Sequence, residues 1–141
     1  MPTASFTKFN AFIEGVFETQ FNFATDTFRV ILSNTTPNAA TMSVRADVTE
    51  VANGNGYTTG GQVVPIVASS QTGGTYTATV NTTLTWTGSG AGIGPLRYAY
   101  MFDDTNASDR LVGVWDYGSS ITVASGETFE WAMNAALITA S

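Results

Sequence analysis

The residues best suited to chemistry form a run of oxygen-bearing side chains from Asp103 to Asp109. Carboxylates and amides that alternate along a loop are ligands that Ca²⁺ accepts. The spacing of this run does not match the loop of an EF-hand, and no glycine stands where such a loop must bend. The pattern is typical of a polar turn in which Asp and Asn bond their own backbone. We therefore predict no metal ligand, with calcium binding by this loop as the open alternative.

Acid–base catalysis in this chain would have to rest on carboxylates, Lys or Tyr, because the sequence contains no histidine and no cysteine. Their absence excludes disulfides, thiol nucleophiles, thiolate zinc sites and Ser-His-Asp triads. Two carboxyl groups can cleave a glycosidic bond only when they lie about 5 to 10 Å apart. Nothing in the sequence brings together the available pairs, which combine Asp103 or Asp104 with Asp116 or Glu127. We predict a protein that is not an enzyme and has no catalytic residue and no cofactor.

Three aromatic residues, Tyr57, Trp115 and Tyr117, could form a platform for a sugar. Flat rings cover the faces of pyranoses, and neighbouring Asn or Asp side chains can bond the hydroxyl groups. A carbohydrate-binding β-sandwich module is therefore an alternative function. In a small sandwich, however, such rings more often belong to the core or cap its ends.

The charge distribution argues against nucleic acids and membranes as partners. Net charge is −6, and the five basic residues are scattered along the chain, at Lys8, Arg29, Arg45, Arg97 and Arg110. No basic stripe is present that would neutralise phosphates. The glycine-rich stretch from Gly54 to Gly61 lacks the lysine of a P-loop, so we interpret it as turns. No apolar run approaches the roughly 20 residues that span a bilayer, and the N-terminus shows no secretory signal pattern.

Composition indicates the elements that must position these residues. Only 11% of the 141 residues are charged, against roughly 25% in an average soluble chain, and Thr, Ser, Asn and Gly take their place. Thr suits a pleated surface, and Gly and Asn supply turns. From Thr75 to Thr87 the apolar residues keep strictly to even positions, which predicts one long strand with an outer face of threonine.

The remaining pattern predicts a mainly β chain, an antiparallel β-sandwich or jelly-roll-like barrel with one N-terminal amphipathic helix. It forms a single domain over 1–141, with the helix at 5–18 and the β core at 26–138. Aromatic and aliphatic residues at spacings of three and four mark the helix, which either covers one end of the core or inserts into a neighbouring subunit. About seven or eight short strands are expected, the others being Phe28–Ser33, 47–51, 62–68 with Pro65 at an edge or bulge, 96–102, 111–117, 121–123 and 128–133.

The Trp-Asp-Tyr-Gly-Ser-Ser sequence at 115–120 is the most distinctive of several segments that share one resemblance. The other segments are Lys8-Phe9-Asn10 and the stretches 26–35, 54–61, 93–99, 103–104 and 111–114. Together they resemble small structural proteins of tailed bacteriophages, and the resemblance covers nearly the whole chain.

This resemblance implies a non-enzymatic virion component, assembled in the bacterial host cytoplasm and placed on the head as a decoration or cement protein. A tail or head-to-tail connector protein is the alternative within the same class. The implied partners are the major capsid protein or other virion proteins, with a homo-oligomer or many copies per particle. No catalytic or metal-binding residue comes with the resemblance. The residues we expect to contact a partner are Phe9, Phe12, Trp115 and Tyr117.

Overall fold

The computed structural model describes residues 4–140, and within them only the backbone of 134–138. Strands account for 53% of the chain and form two antiparallel sheets, with one α-helix near the N-terminus. This architecture is consistent with a β-sandwich, so the predicted fold class is confirmed. In chain order the elements are β1 (Ser5–Lys8), α1 (Asn10–Phe17), β2 (Phe28–Ser33), a 3₁₀ turn (Arg45–Asp47), β3 (Gln62–Val64), β4 (Ile66–Thr72), β5 (Thr75–Thr87), β6 (Ile93–Asp103), β7 (Arg110–Val123) and β8 (Thr128–Ala140).

The two sheets differ in size. Five strands form one sheet in the order β1-β7-β6-β2-β3, and three form the other in the order β4-β5-β8. Rings on β7 and β8 contact each other between the sheets, with 6.3 Å between the ring centroids of Trp115 and Trp131. The residues buried on both sheets belong to one hydrophobic core.

Strand β5 is unbroken from Thr75 to Thr87, as its strict alternation predicts. It pairs with β4 along its first half and with β8 along nearly its whole length. The even positions face the core and the odd ones lie outside or at the margin, with Ala78, Val80, Leu84 and Trp86 buried and Asn81, Thr83, Thr85 and Thr87 exposed. The predicted threonine face is therefore confirmed.

Pro65 divides the predicted 62–68 strand into β3 and β4. A proline has no N–H to donate to a strand ladder, so pairing is interrupted at this residue. The chain leaves the five-stranded sheet there and enters the three-stranded one, and each of the two strands is at an edge of its sheet. The edge position was predicted correctly; the change of sheet was not.

The predicted helix at 5–18 is wrong in its first turn. Residues Ser5–Lys8 form β1, which pairs with β7, and the helix comprises only Asn10–Phe17. Phe6 lies opposite Trp115 in this pairing, with 4.6 Å between their ring centroids. A short segment with helical periodicity becomes a strand here because an exposed sheet edge offers backbone partners that the sequence pattern does not reveal.

Other strand boundaries also differ from the prediction: β6 begins earlier than residue 96, and β8 continues beyond residue 133. Residues 47–51 form no strand: Asp47 ends the 3₁₀ turn, and the residues after it contribute a single bridge, between Glu50 and Ser33. The turn predicted at 118–120 is a bulge inside the continuous strand β7. Asp116 pairs with Tyr98 and Ile121 pairs with Leu96, so the segment of β7 between these two pairs is longer than the segment of β6 opposite it. Gly118, with φ +100°, allows the strand to bulge and then continue.

Candidate functional site

Helix α1 has one side in the core and an apolar side in solvent. Phe12 is buried and packs edge-on against Phe21, with ring centroids 4.9 Å apart. On the outer side Ile13, Val16 and Phe17 are exposed by 44%, 40% and 84%. We call these three residues the helix patch. Among the described residues, the other large hydrophobic side chains with comparable exposure are Val63 and Val67 on the edge strands.

The geometry of a short helix explains why the chain's own core does not cover Ile13 and Phe17. Successive residues are rotated by about 100°, so Ile13 and Phe17 lie about 100° and 140° from Phe12 around the axis. A single contact with the core cannot cover so wide an arc. Gly15 allows the helix to pack closely on Phe21, because a Cβ at this position would lie 2.6 Å from the Phe21 ring.

The charge beside the helix patch is negative. Glu14 within the helix and Glu18 at its C-terminal end are both exposed, and α1 has no basic residue in its last turn. A surface that covers the patch would therefore meet carboxylates at its border. Lysine or arginine on the opposing surface would be favoured there.

The four residues predicted to contact a partner are positioned by the chain's own core. Phe9 is fully buried and stacks on Tyr100, and Phe12 is buried under the helix. Trp115 is 8% exposed, between Phe6 and Trp131. Tyr117 is partly buried against the rings of Phe129 and Trp131. The apolar surface of α1 that is open to a partner is therefore the helix patch and not Phe9 or Phe12.

The sugar platform considered as an alternative does not form. Tyr57 is buried, and its hydroxyl donates to Glu50 Oε1 at 2.6 Å while it accepts from the backbone N–H of Leu32 at 3.2 Å. Burial, reinforced by the Glu50 carboxylate, raises the pKa of Tyr57 well above its usual range. Because Trp115 is buried as well, the three rings present no common exposed face.

The carboxylate pairs considered for cleavage of a glycosidic bond do not converge. Asp116 forms a two-pronged ion pair with Arg97, at 2.8 and 2.9 Å, and this guanidinium lowers the pKa of Asp116. Asp103 ends β6, whereas Asp116 pairs opposite Tyr98, so the two are separated by about 16 Å along the strand at roughly 3.3 Å per residue. Glu127 is in the turn at the opposite end of the sheet, where its carboxylate accepts from the backbone N–H of Ala124.

A partly buried polar cluster that sequence reasoning missed holds the long 34–61 segment on the sheet. Glu50 accepts hydrogen bonds from Arg45 at 2.8 Å and from the backbone N–H of Gly60 at 2.6 Å, besides that from Tyr57. The Arg45 guanidinium also lies 5.1 Å from the centre of the Phe102 ring. The sequence feature that could have pointed to this cluster is the presence of the opposite charges Arg45 and Glu50 in a segment that is otherwise mainly uncharged.

The Asp103 to Asp109 loop bonds its own backbone, as expected for a polar turn. Asp103 Oδ1 accepts from the N–H groups of Thr105 and Asn106, and Asn106 Oδ1 accepts from that of Ser108. Asp103 itself is fully buried. Burial, together with the nearby carboxyl of Asp26, raises the pKa of Asp103 to about 6. Among the described residues, no group of three or more Asp or Glu side chains is arranged to hold a metal ion.

Comparison with known proteins did not identify a relative. No protein-family model, curated protein or solved structure matches the chain. The described part of the chain contains no helix with the length and apolar character needed to cross a membrane.

Proposed function

We propose that this chain is a non-enzymatic structural component of a tailed-phage virion, a decoration or cement protein that binds the head shell and stabilises it. The resemblance of nearly the whole sequence to small virion proteins supplies the class. The observation that carries the binding role is the helix patch, because an exposed Phe17 beside Ile13 and Val16 is stable in water but gains free energy when covered.

The covering surface we propose belongs to the major capsid protein or another virion protein, with an apolar pocket bordered by Lys or Arg. A second copy of this chain fits less well. Pairing two helix patches would bring Glu14 and Glu18 of each copy close to those of the other, and each chain carries a net charge of −6. Three of the five basic residues, Arg29, Arg45 and Arg97, also have carboxylate partners within their own chain.

Stabilisation would follow from mass action. A protein that binds the assembled shell and not its separate subunits shifts the equilibrium toward the shell. Burying one Phe side chain contributes about 1.5 to 3 kcal/mol, which corresponds to a factor of about 10 to 100 in affinity. Many copies on one particle would multiply a modest individual contact.

The test begins with mass spectrometry of purified particles to establish presence and copy number. Hundreds of copies support a position on the head or the tail tube, and a dozen or fewer would favour the connector alternative. Added protein should then bind saturably to particles that lack it and raise their disruption temperature. Absence of the chain from purified particles would overturn the proposal.

The helix patch is tested in the same binding assay. Phe17→Ser should weaken binding about 10-fold or more, because it removes the most exposed ring of the patch. Val67→Ser is the matched control: Val67 is 55% exposed but lies on the β4 edge. Equal binding by both variants and the unmodified chain would show that another surface makes the contact.

A further inference from the structure

Strand β8 has a long edge without a partner strand. It lies at one side of the three-stranded sheet and pairs with β5 along nearly its whole length, and no other described strand pairs with it. Every second residue of an edge strand points its N–H and C=O groups away from the sheet, where only water or a strand of another chain can bond them. β8 is therefore a template on which one more strand can form.

The other three edges of the two described sheets are short or interrupted. β1 and β3 comprise four and three residues. β4 follows Pro65, and its pairing with β5 shifts register between Ile66 and Ala68. Short strands, prolines, lysines and bulges are the features that prevent pairing between sheet edges. β8 contains no proline and no lysine, and over 128–136 its register with β5 is unbroken.

The side chains of β8 alternate between the core and the solvent. Phe129, Trp131 and Met133 are buried, whereas Thr128, Glu130 and Ala132 are exposed. An added strand must match this alternation, or it would turn its apolar side chains toward water. Two copies of β8 related by a two-fold axis match when the axis passes through a residue position, because each residue then pairs with one that faces the same side.

We propose that two copies of this chain pair antiparallel through β8 and join their three-stranded sheets into one six-stranded sheet. The unbroken segment 128–136 overlaps completely with its own copy when Ala132 lies on the two-fold axis. The two strands would then share about nine backbone hydrogen bonds. This contact uses no residue of the helix patch and requires no phage protein, so it is independent of the proposed function.

The side chains near the axis are compatible with this register. Ala132 of one copy faces Ala132 of the other, and so small a side chain fits where Cβ atoms approach to about 4.5 to 5.5 Å. Glu130 is the one charged residue of β8, and it lies opposite position 134 of the other copy. The two Glu130 positions are separated by about 13 Å along the strands, at roughly 3.3 Å per residue. This separation exceeds the Debye length of about 8 Å, so their repulsion is largely screened.

The oligomeric state of the full chain tests the proposal. Sedimentation equilibrium at increasing concentration, up to about 0.5 mM, should show a reversible dimer with twice the mass of one chain. Ala132→Glu places two further carboxylates opposite each other between the Glu130 positions, and it should weaken dimerisation about 10-fold or more. Ala68→Glu is the matched control and should dimerise like the unmodified chain, because Ala68 is an exposed alanine on β4, the opposite edge of the same sheet.

Cross-linking tests the register and does not depend on the folding of Ala132→Glu. The chain has no cysteine, so Ala132→Cys introduces a single thiol at the two-fold axis. Under mild oxidation it should form disulfide-linked dimers about 10-fold faster or more than Ala68→Cys, because paired strands hold the two thiols together. Equal rates for the two cysteine variants would overturn the proposal.

The sedimentation results can contradict the β8 contact in three further ways. A chain that stays monomeric at every concentration would overturn it and leave the β8 edge to a strand of a different protein. A dimer that Ala132→Glu leaves intact would show that the contact lies elsewhere. If Phe17→Ser abolishes such a dimer, the helix patch makes the contact and the β8 pairing is wrong.

Discussion

The Tyr57 hydroxyl donates a 2.6 Å hydrogen bond to the Glu50 carboxylate inside the protein. The same carboxylate accepts from Arg45 and from the backbone of Gly60, so one side chain connects a 3₁₀ turn, a glycine-rich turn and a buried ring. Because Tyr57 also accepts from the Leu32 N–H, this cluster attaches the 34–61 segment to strand β2. Its importance for stability can be measured.

Glu50→Gln should lower the free energy of unfolding by about 2 to 3 kcal/mol. The amide keeps the shape but loses the charge that balances Arg45, and charge-assisted hydrogen bonds to a largely buried group are worth about that much. Glu14→Gln, on the exposed side of α1, makes the same chemical change and should stay within about 0.5 kcal/mol. Urea unfolding checks both. Equal losses would show that the cluster has no special role.

Gly61 has a second constraint beyond its backbone angle. Its φ is +63°, and a Cβ would lie 1.8 Å from the carbonyl oxygen of Val30, which is immovable sheet backbone. Gly61→Ala should therefore lower the free energy of unfolding by more than about 3 kcal/mol or prevent folding. Losses of this size are at the upper end of those that single substitutions cause.

Gly73→Ala separates the two effects. Gly73 has a similar φ of +58°, but a Cβ there meets nothing within 4 Å. Only the left-handed backbone is penalised, at about 1 to 2 kcal/mol. Soluble yield and chemical denaturation of both variants test the difference. If both alanines cost the same, the close approach at Gly61 does not matter.

The sequence predicted best where neighbouring residues alone decide the structure. β5 alternates without a slip, and β2 was placed correctly from its β-branched and aromatic residues. β1 failed because its strand form depends on β7, which is distant in sequence. The same reasoning applies to sites: Asp103 stood out within its loop, but the approach of Asp26 depends on the folding of two loops onto each other.

Burial also could not be read from residue type. Phe12 and Phe17 are both aromatic positions of the predicted helix, yet only Phe12 enters the core. Tyr57 and Trp115 looked suited to an exposed platform, and both are inside. When a helix has apolar residues on more than one side, the side that faces inward depends on neighbours such as Phe21, and the local pattern contains no information about them.

Phe12→Ala and Phe17→Ala should consequently differ by a wide margin. The first leaves a cavity beneath the helix, and a Phe→Ala change in a core costs about 3 to 5 kcal/mol. The second removes a ring that is 84% exposed and should change stability by less than about 0.5 kcal/mol. Denaturant midpoints of both proteins decide the matter. A comparable loss for Phe17→Ala would mean that the helix patch is covered in solution.

Burial of Asp103 beside the carboxyl of Asp26 should give stability an unusual dependence on pH. The pKa of Asp103 is about 6 in the folded chain and close to 3.8 once unfolded. Between these values the folded chain binds the additional proton, so this contribution to stability falls as pH rises from about 4 to 6 and is absent above that. Each unit of difference corresponds to about 1.4 kcal/mol, which predicts a total of about 1 to 3 kcal/mol.

Asp103→Asn isolates this effect from the other carboxylates. The amide oxygen can still accept the two loop N–H groups, and the amide nitrogen can donate to Asp26, so repulsion is removed. The variant should gain stability relative to the unmodified chain as pH increases from 4 to 7. Asp104→Asn, which removes an acidic group of the same loop that lies 4.0 Å from Arg29, controls for the loss of one carboxylate. Urea unfolding at several pH values provides the comparison, and a pH-independent difference for Asp103→Asn would contradict the raised pKa of Asp103.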